Sequence, residues 1–137
     1  MLTAEQIADG KRRAKHRTMG DVNHEHDDCI RIAYAWLDAQ KTRAAPFTNG
    51  PHVALKHLIE KWGGRYVSEA DVTVAALLHP KIEGTYPYFN LSLRRTLPSF
   101  VRLEGIAQAN TMQNYRDRMR REDYAEIEPD PPRTTAA

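Results

Sequence analysis

A chain of 137 residues, 41% hydrophobic and 28% charged, has room for one domain with a modest core and is too apolar for wholesale disorder. It holds no run near the ~18 apolar residues of a membrane span, and Met1-Leu2-Thr3-Ala4-Glu5 lacks the basic-then-apolar layout of a secretion signal. The single cysteine, Cys29, has no internal disulfide partner and points to a reducing cytoplasm, while a net charge of +2 neither demands nor excludes nucleic acid.

Residues 1–22 are polar, with a basic run at Lys11, Arg12, Arg13, Lys15 and Arg17. Their few apolar residues predict a frayed helix or mobile arm rather than a docked element. Gly20-Asp21 breaks the pattern. The next segment, from about Glu25 to Thr42, is predicted to be helical. Cys29, Ile32, Ala33, Trp36 and Leu37 form its apolar stripe at i, i+3, i+4, i+7 and i+8, with Asn23 as its cap. Asp27 and Asp28 suit the positive end of this helix, and Lys41 and Arg43 its negative end.

Pro46 and Asn49-Gly50-Pro51 read as a connection, and Pro51 suits a first helical position. A helix over Pro51–Gly63 places Leu55, Leu58, Ile59 and Trp62 on one face, with Lys56, Glu60 and Lys61 opposite; Gly63-Gly64 ends it. A further helix over Ser68–His79 opens with Ser68 as cap and Asp71 as capping-box partner. Its interior, Val72 to Leu78, is apolar on nearly every side and predicts a central position. Pro80 stops it.

Gly84 to Asn90 is a turn-rich aromatic segment that Pro87 keeps from being helical. Leu91-Ser92-Leu93-Arg94 alternates apolar and polar residues, which suits a short strand or wing. A brief helix over Pro98–Glu104 follows. The last helix, Ile106 to about Tyr124, would dock through Ile106, Ala109, Met112 and Met119, with Arg116, Arg118, Arg120 and Arg121 making its second half basic and solvated. Pro129, Pro131 and Pro132 mark a disordered tail. The predicted organisation is a basic arm (1–22), a helical domain (23–124) and a Pro-rich disordered tail (125–137). The fold class is all-α: one compact domain of about five helices with a helix-turn-helix-like central pair and room for a β-wing.

Three groups of residues could carry function. The pair 51–63 and 68–79 has helix-turn-helix order, and Val67-Ser68-Glu69-Ala70-Asp71-Val72 resembles the opening of a recognition helix. Such a helix needs exposed donors near its start; here Glu69 and Asp71 stand there, and Thr73 is the best candidate for reaching a base. Phosphate contacts fall instead to Lys11, Arg12, Arg13, Arg65, Arg94 and Arg95. The second group is the loop Tyr86, Tyr88 and Phe89, suited to base stacking beside Arg94 and Arg95 or to a protein interface. The third is the His24–Cys29 stretch, where His24 and His26 are weak metal candidates, two apart and so on different helix faces.

The expected function is thus a small cytoplasmic nucleic-acid-associated regulator, of the kind carried on bacterial mobile elements, contacting phosphates through peripheral arginines. It would need no cofactor, no membrane and no catalytic residue, and would act as a possible homodimer. The alternative is a protein-interaction module, an adaptor or inhibitor, using the Tyr86–Phe89 loop or the acidic start of the helix at Ser68.

Overall fold

The computed structural model describes residues 1–15, 17, 20–47 and 54–132. The Asn49-Gly50-Pro51 connection, the predicted first turn after Pro51 and the end of the tail (133–137) lie outside the described residues. At the centre stand two helices, α2 (Asp27–Asp38) and α4 (Glu69–Leu78), packed against each other. Helix α1 (Ala4–Arg13) covers α4, and α3 (Leu55–Gly63) lies against α2 and a short α5 (Gln113–Arg116). With two small two-stranded sheets, these make one mostly helical compact domain. None of the helices among the described residues is long and apolar enough to cross a membrane.

Helix α4 takes the central place that its apolar body predicts: Val72, Val74, Ala75 and Ala76 are buried. Its start is a full capping box. Ser68 Oγ accepts the Asp71 N–H at 3.0 Å, and an Asp71 carboxylate oxygen accepts the Ser68 N–H at 2.9 Å, satisfying donors that the helix itself leaves orphaned.

Residues 1–13 do not behave as an arm. Thr3 and Gln6 form a second capping box, Ile7 is fully buried, and Ala14 is buried. Between them Gly10 lets α1 approach α4 closely: a Cβ there would lie 2.9 Å from both Val74 Cγ1 and Leu78 Cδ1. A helix face of one isoleucine, one glycine and one alanine looks too poor in apolar residues to dock. Glycine at the crossing point shortens the interhelical distance, so the two helices bury surface without large side chains.

Helix α2 starts later and ends earlier than the pattern predicts. Its cap is His26, whose Nδ1 accepts the Asp28 N–H at 2.9 Å. At its end the Gln40 amide donates to the Trp36 and Thr96 carbonyls and accepts the Thr96 N–H. Beyond Gln40 the chain turns to an extended course. Ser92 N–H donates to Lys41 O and Arg43 N–H to Asn90 O, both at 2.8 Å, around a Thr42–Leu91 bridge.

That strip continues a hairpin of β1 (Gly84–Thr85) and β2 (Tyr88–Phe89), turned at a cis Tyr86–Pro87 bond. Next, β3 (Thr96–Leu97) pairs in parallel with β4 (Glu126–Ile127). The segment after Glu126, predicted to be disordered, is therefore held at two points: Glu128 N–H bonds Leu97 O, and Asp130 accepts from Ser99 Oγ at 2.5 Å. Backbone pairing docks it, which an absence of core side chains does not forbid.

The helix predicted over 106–124 is broken, and α3 is the cause. The four carbonyls at the end of a helix lack partners of their own. Here Asn110 N–H donates to Gly63 O at 2.8 Å and Met112 N–H to Gly64 O at 2.9 Å. The Arg116 guanidinium donates to Lys61 O and Trp62 O and lies 4.3 Å over the Phe100 ring, which itself stacks on Trp62. Arg116 is thus a cap, not part of a solvated basic face. The predicted helix over 98–104 is a 3-10 turn at Phe100–Leu103.

Candidate functional site

The polar side chains predicted to read a base from the start of α4 do not face outward. Asp71 is fully buried, and Thr73 is 6% exposed with its hydroxyl donating to Glu69 O at 2.9 Å. Thr73 therefore does not reach outward, and of the acidic start only Glu69 is partly open. Arg65 is spent as well. It is 6% exposed and donates to Glu25 at 2.8 Å, to Gln108 at 3.2 Å and to Tyr66 O. Lys11 pairs with Asp27 at 3.0 Å, and Arg12 and Arg13 both pair with Asp9 on their own helix. These predicted phosphate contacts are dispersed, and most hold the protein's own carboxylates.

Arg94 and Arg95 differ. They follow the extended strip 90–92 beside the hairpin, and Phe47, Tyr88, Leu93 and Arg95 line one crevice there. Arg43 leaves the neighbouring strip with its guanidinium 3.9 Å over the Phe47 ring, a cation–π contact. The Arg94 side chain is 71% exposed, and its nearest acid, Glu126, sits at 3.7 Å. Glu126 is also held by Lys41 at 2.7 Å. Arg95 is half-buried and its Nε has no hydrogen-bond partner among the described residues; burial works against its charge and lowers its pKa from the ordinary arginine range. An unpaired buried donor costs free energy.

The three predicted aromatics divide. Phe89 belongs to the core and Tyr86 packs edge-on against it. The Tyr86 hydroxyl accepts the Lys56 N–H at 3.3 Å, and burial pushes its pKa up to about 12. Tyr88 alone stays at the rim, half-buried. Leu93 beside it is 59% exposed. Arg43, Phe47 and Leu93 were not among the residues predicted from the sequence. The 41–47 stretch joins 88–95 only through non-local pairing, for which local periodicity carries no signal.

His24 and His26 do not converge. His26 caps α2 and His24 Nδ1 meets Asp71 at 2.6 Å. Among the described residues no group of three His, Cys, Asp or Glu side chains could hold a metal ion. Cys29 is buried, which pushes its thiol up to about 12 and leaves it unreactive as a nucleophile.

A third polar cluster pins the tail. Lys81 N–H donates to His79 Nδ1 at 3.1 Å, so the ring proton sits on Nε2 and is donated to Asp38 at 2.8 Å. Arg102 bridges Asp38 to Glu128, which it holds through two bonds of 2.7 Å. Burial acts to raise the Asp38 pKa, but the His79 and Arg102 hydrogen bonds outweigh it and hold it below the usual value. Arg102 does the same to Glu128. Carboxyls with depressed folded pKa values contribute stability that is complete above their unfolded values of about 4 and is lost as pH falls through the folded ones. Acidification below about pH 4 is therefore expected to release β4 before the helices. Amide exchange at Glu128, bonded to Leu97 O, should accelerate there ahead of α2 amides; simultaneous exchange would refute this order.

No family model, curated protein or solved structure matches the chain. The functional reading accordingly rests on the geometry above.

Proposed function

We propose that this is a nucleic-acid-associated protein that holds single-stranded segments on the face formed by Arg43, Phe47, Tyr88, Leu93, Arg94 and Arg95. The observation that carries the reading is the Arg95 guanidinium, half-buried in one crevice with Tyr88 and Phe47, next in the chain to the exposed Arg94, with Arg43 stacked on the Phe47 ring. Cations interleaved with rings suit a strand whose phosphates and unpaired bases are both open, since bases stack on aromatic side chains while arginines follow the backbone. In this reading the α3–turn–α4 pair serves as scaffold, and the 90–92 strip with the hairpin carries the contact face. A cytoplasmic regulatory role, with dimerisation adding affinity, fits such a modest surface.

Fluorescence anisotropy with a labelled oligonucleotide tests this. Single strands are expected to bind more tightly than duplex of the same sequence, and Arg94→Ala with Arg95→Ala should weaken binding at least about 10-fold, the loss of one or more charge-assisted contacts. Equal affinity in that double variant would remove the face from the account.

The exposure of Leu93 favours a second reading, a protein-interaction module docking a partner on the same face. Hot spots combine aromatic and arginine side chains in this manner. Binding of this kind would be nearly insensitive to salt, and Leu93→Ala would weaken it more than Arg94→Ala.

A further inference from the structure

Between α1 and α4 lies a cavity of about 380 Å³ that the basic face does not use. Its size is within the range of small-molecule sites, about 300–1,000 Å³. The lining combines apolar Ala14, Ala70 and Val74 with three nitrogen-bearing side chains, Lys11, Lys15 and His24. His24 is oriented from below. Its Nδ1 meets the carboxylate of the fully buried Asp71 at 2.6 Å. That bond places the Nδ1 proton towards Asp71 and leaves Nε2 without a partner among the described residues. Asp71 is itself fixed by the Ser68 N–H in the α4 capping box, so the imidazole is held by a group that cannot readily move.

The geometry points to a binding site for a phosphate monoester carrying a small apolar body. The body would lie on Ala14, Ala70 and Val74, and the phosphate at the rim would meet Lys15 and His24 Nε2, with Lys11 beside them held by Asp27. A phosphate monoester suits an oriented imidazole better than a carboxylate does. Its several terminal oxygens can meet the Lys15 ammonium and the imidazole Nε2 at once, and it can accept from a protonated ring or give its remaining proton to a neutral one. The acids bonded to these side chains are each engaged: Asp27 holds Lys11 at 3.0 Å and Asp71 holds His24. Lys11 and Lys15 also sit at the C-terminal end of α1, where cations complement the helix dipole. That explains lysines on the helix; it does not explain a cavity that they line together with apolar side chains and a fixed imidazole.

The test uses the full chain and three probes: inorganic phosphate, phenyl phosphate and benzoate. Phenyl phosphate is expected to shift the His24 imidazole resonances saturably and to bind at least about 10-fold more tightly than benzoate or inorganic phosphate. The solvent-exposed Lys15 can be replaced without disturbing the core, so Lys15→Ala should weaken phenyl phosphate about 10-fold, one charge-assisted contact, with thermal stability unchanged. His24→Gln should weaken it as well. Benzoate binding as tightly as phenyl phosphate, no saturable shift at His24, or an unchanged affinity in Lys15→Ala would each overturn the assignment. Arg94→Ala with Arg95→Ala should leave phenyl phosphate binding intact, so this site and the basic face stand or fall separately.

Discussion

Replacing Ile7 with alanine is expected to destabilise the whole domain by about 2–5 kcal/mol, the cost of deleting a fully buried isoleucine side chain down to its Cβ. Ile7 is the one large apolar residue that α1 seats in the core. The contact next to it is already as close as side chains allow, with Gly10 against Val74 and Leu78, so little can shift to refill the cavity. Urea unfolding measures this. The midpoint should fall while the transition stays single, because α1 covers the central helix α4. A change below about 0.5 kcal/mol, typical of surface substitutions, would mean that residues 4–13 are an arm after all.

Arg116→Ala is expected to cost about 2–4 kcal/mol, since hydrogen bonds from a charged donor contribute about 1.5–3 kcal/mol each and the carbonyls left behind add their desolvation cost. The guanidinium closes Lys61 O and Trp62 O and also covers the Phe100 ring. Arg116→Lys should recover only part of this, because an ammonium lacks the flat fork that meets two carbonyls and a ring together. Equal stability of the lysine variant and the parent would show that charge alone matters. Loss of less than about 0.5 kcal/mol in the alanine variant would return Arg116 to the solvated surface.

Both outcomes concern features that a linear reading handles poorly, and the reason is the same. Signals that act within a few residues were legible. The Ser68–Asp71 capping box, the Trp36 and Trp62 stripes and the all-round apolar body of α4 are all present as the spacing predicts. What depends on distant partners was not. Nothing near residue 116 says that its arginine closes a helix 54 residues earlier, and nothing in the proline-rich end says that Thr96–Leu97 offers it an edge to pair with. Gly10 reads as a helix weakener by propensity, yet at a crossing it is the residue that permits docking.

The candidate site divides along the same line. Tyr88, Arg94 and Arg95 could be singled out because they lie within eight residues of one another. Arg43 and Phe47 join them only through the antiparallel run of 41–43 along 90–92. Arg65 and Thr73 looked free because charge and polarity are visible in a sequence, whereas the Glu25, Gln108 and Glu69 atoms that engage them are not. Basic residues outnumber acidic ones only 20 to 18. Most of the described cations that looked like phosphate contacts are paired internally, so the few on the hairpin face carry the argument.

The salt dependence of single-strand binding tests that argument most directly. Three phosphate contacts from Arg43, Arg94 and Arg95 predict that log affinity falls with log salt at a slope of about −2, from roughly −0.7 per contact on a single strand. Replacing all three with alanine should flatten the slope and abolish measurable binding at moderate salt. A wild-type slope near zero, or a triple variant that keeps the parent's slope, would contradict the assignment of this face to nucleic acid.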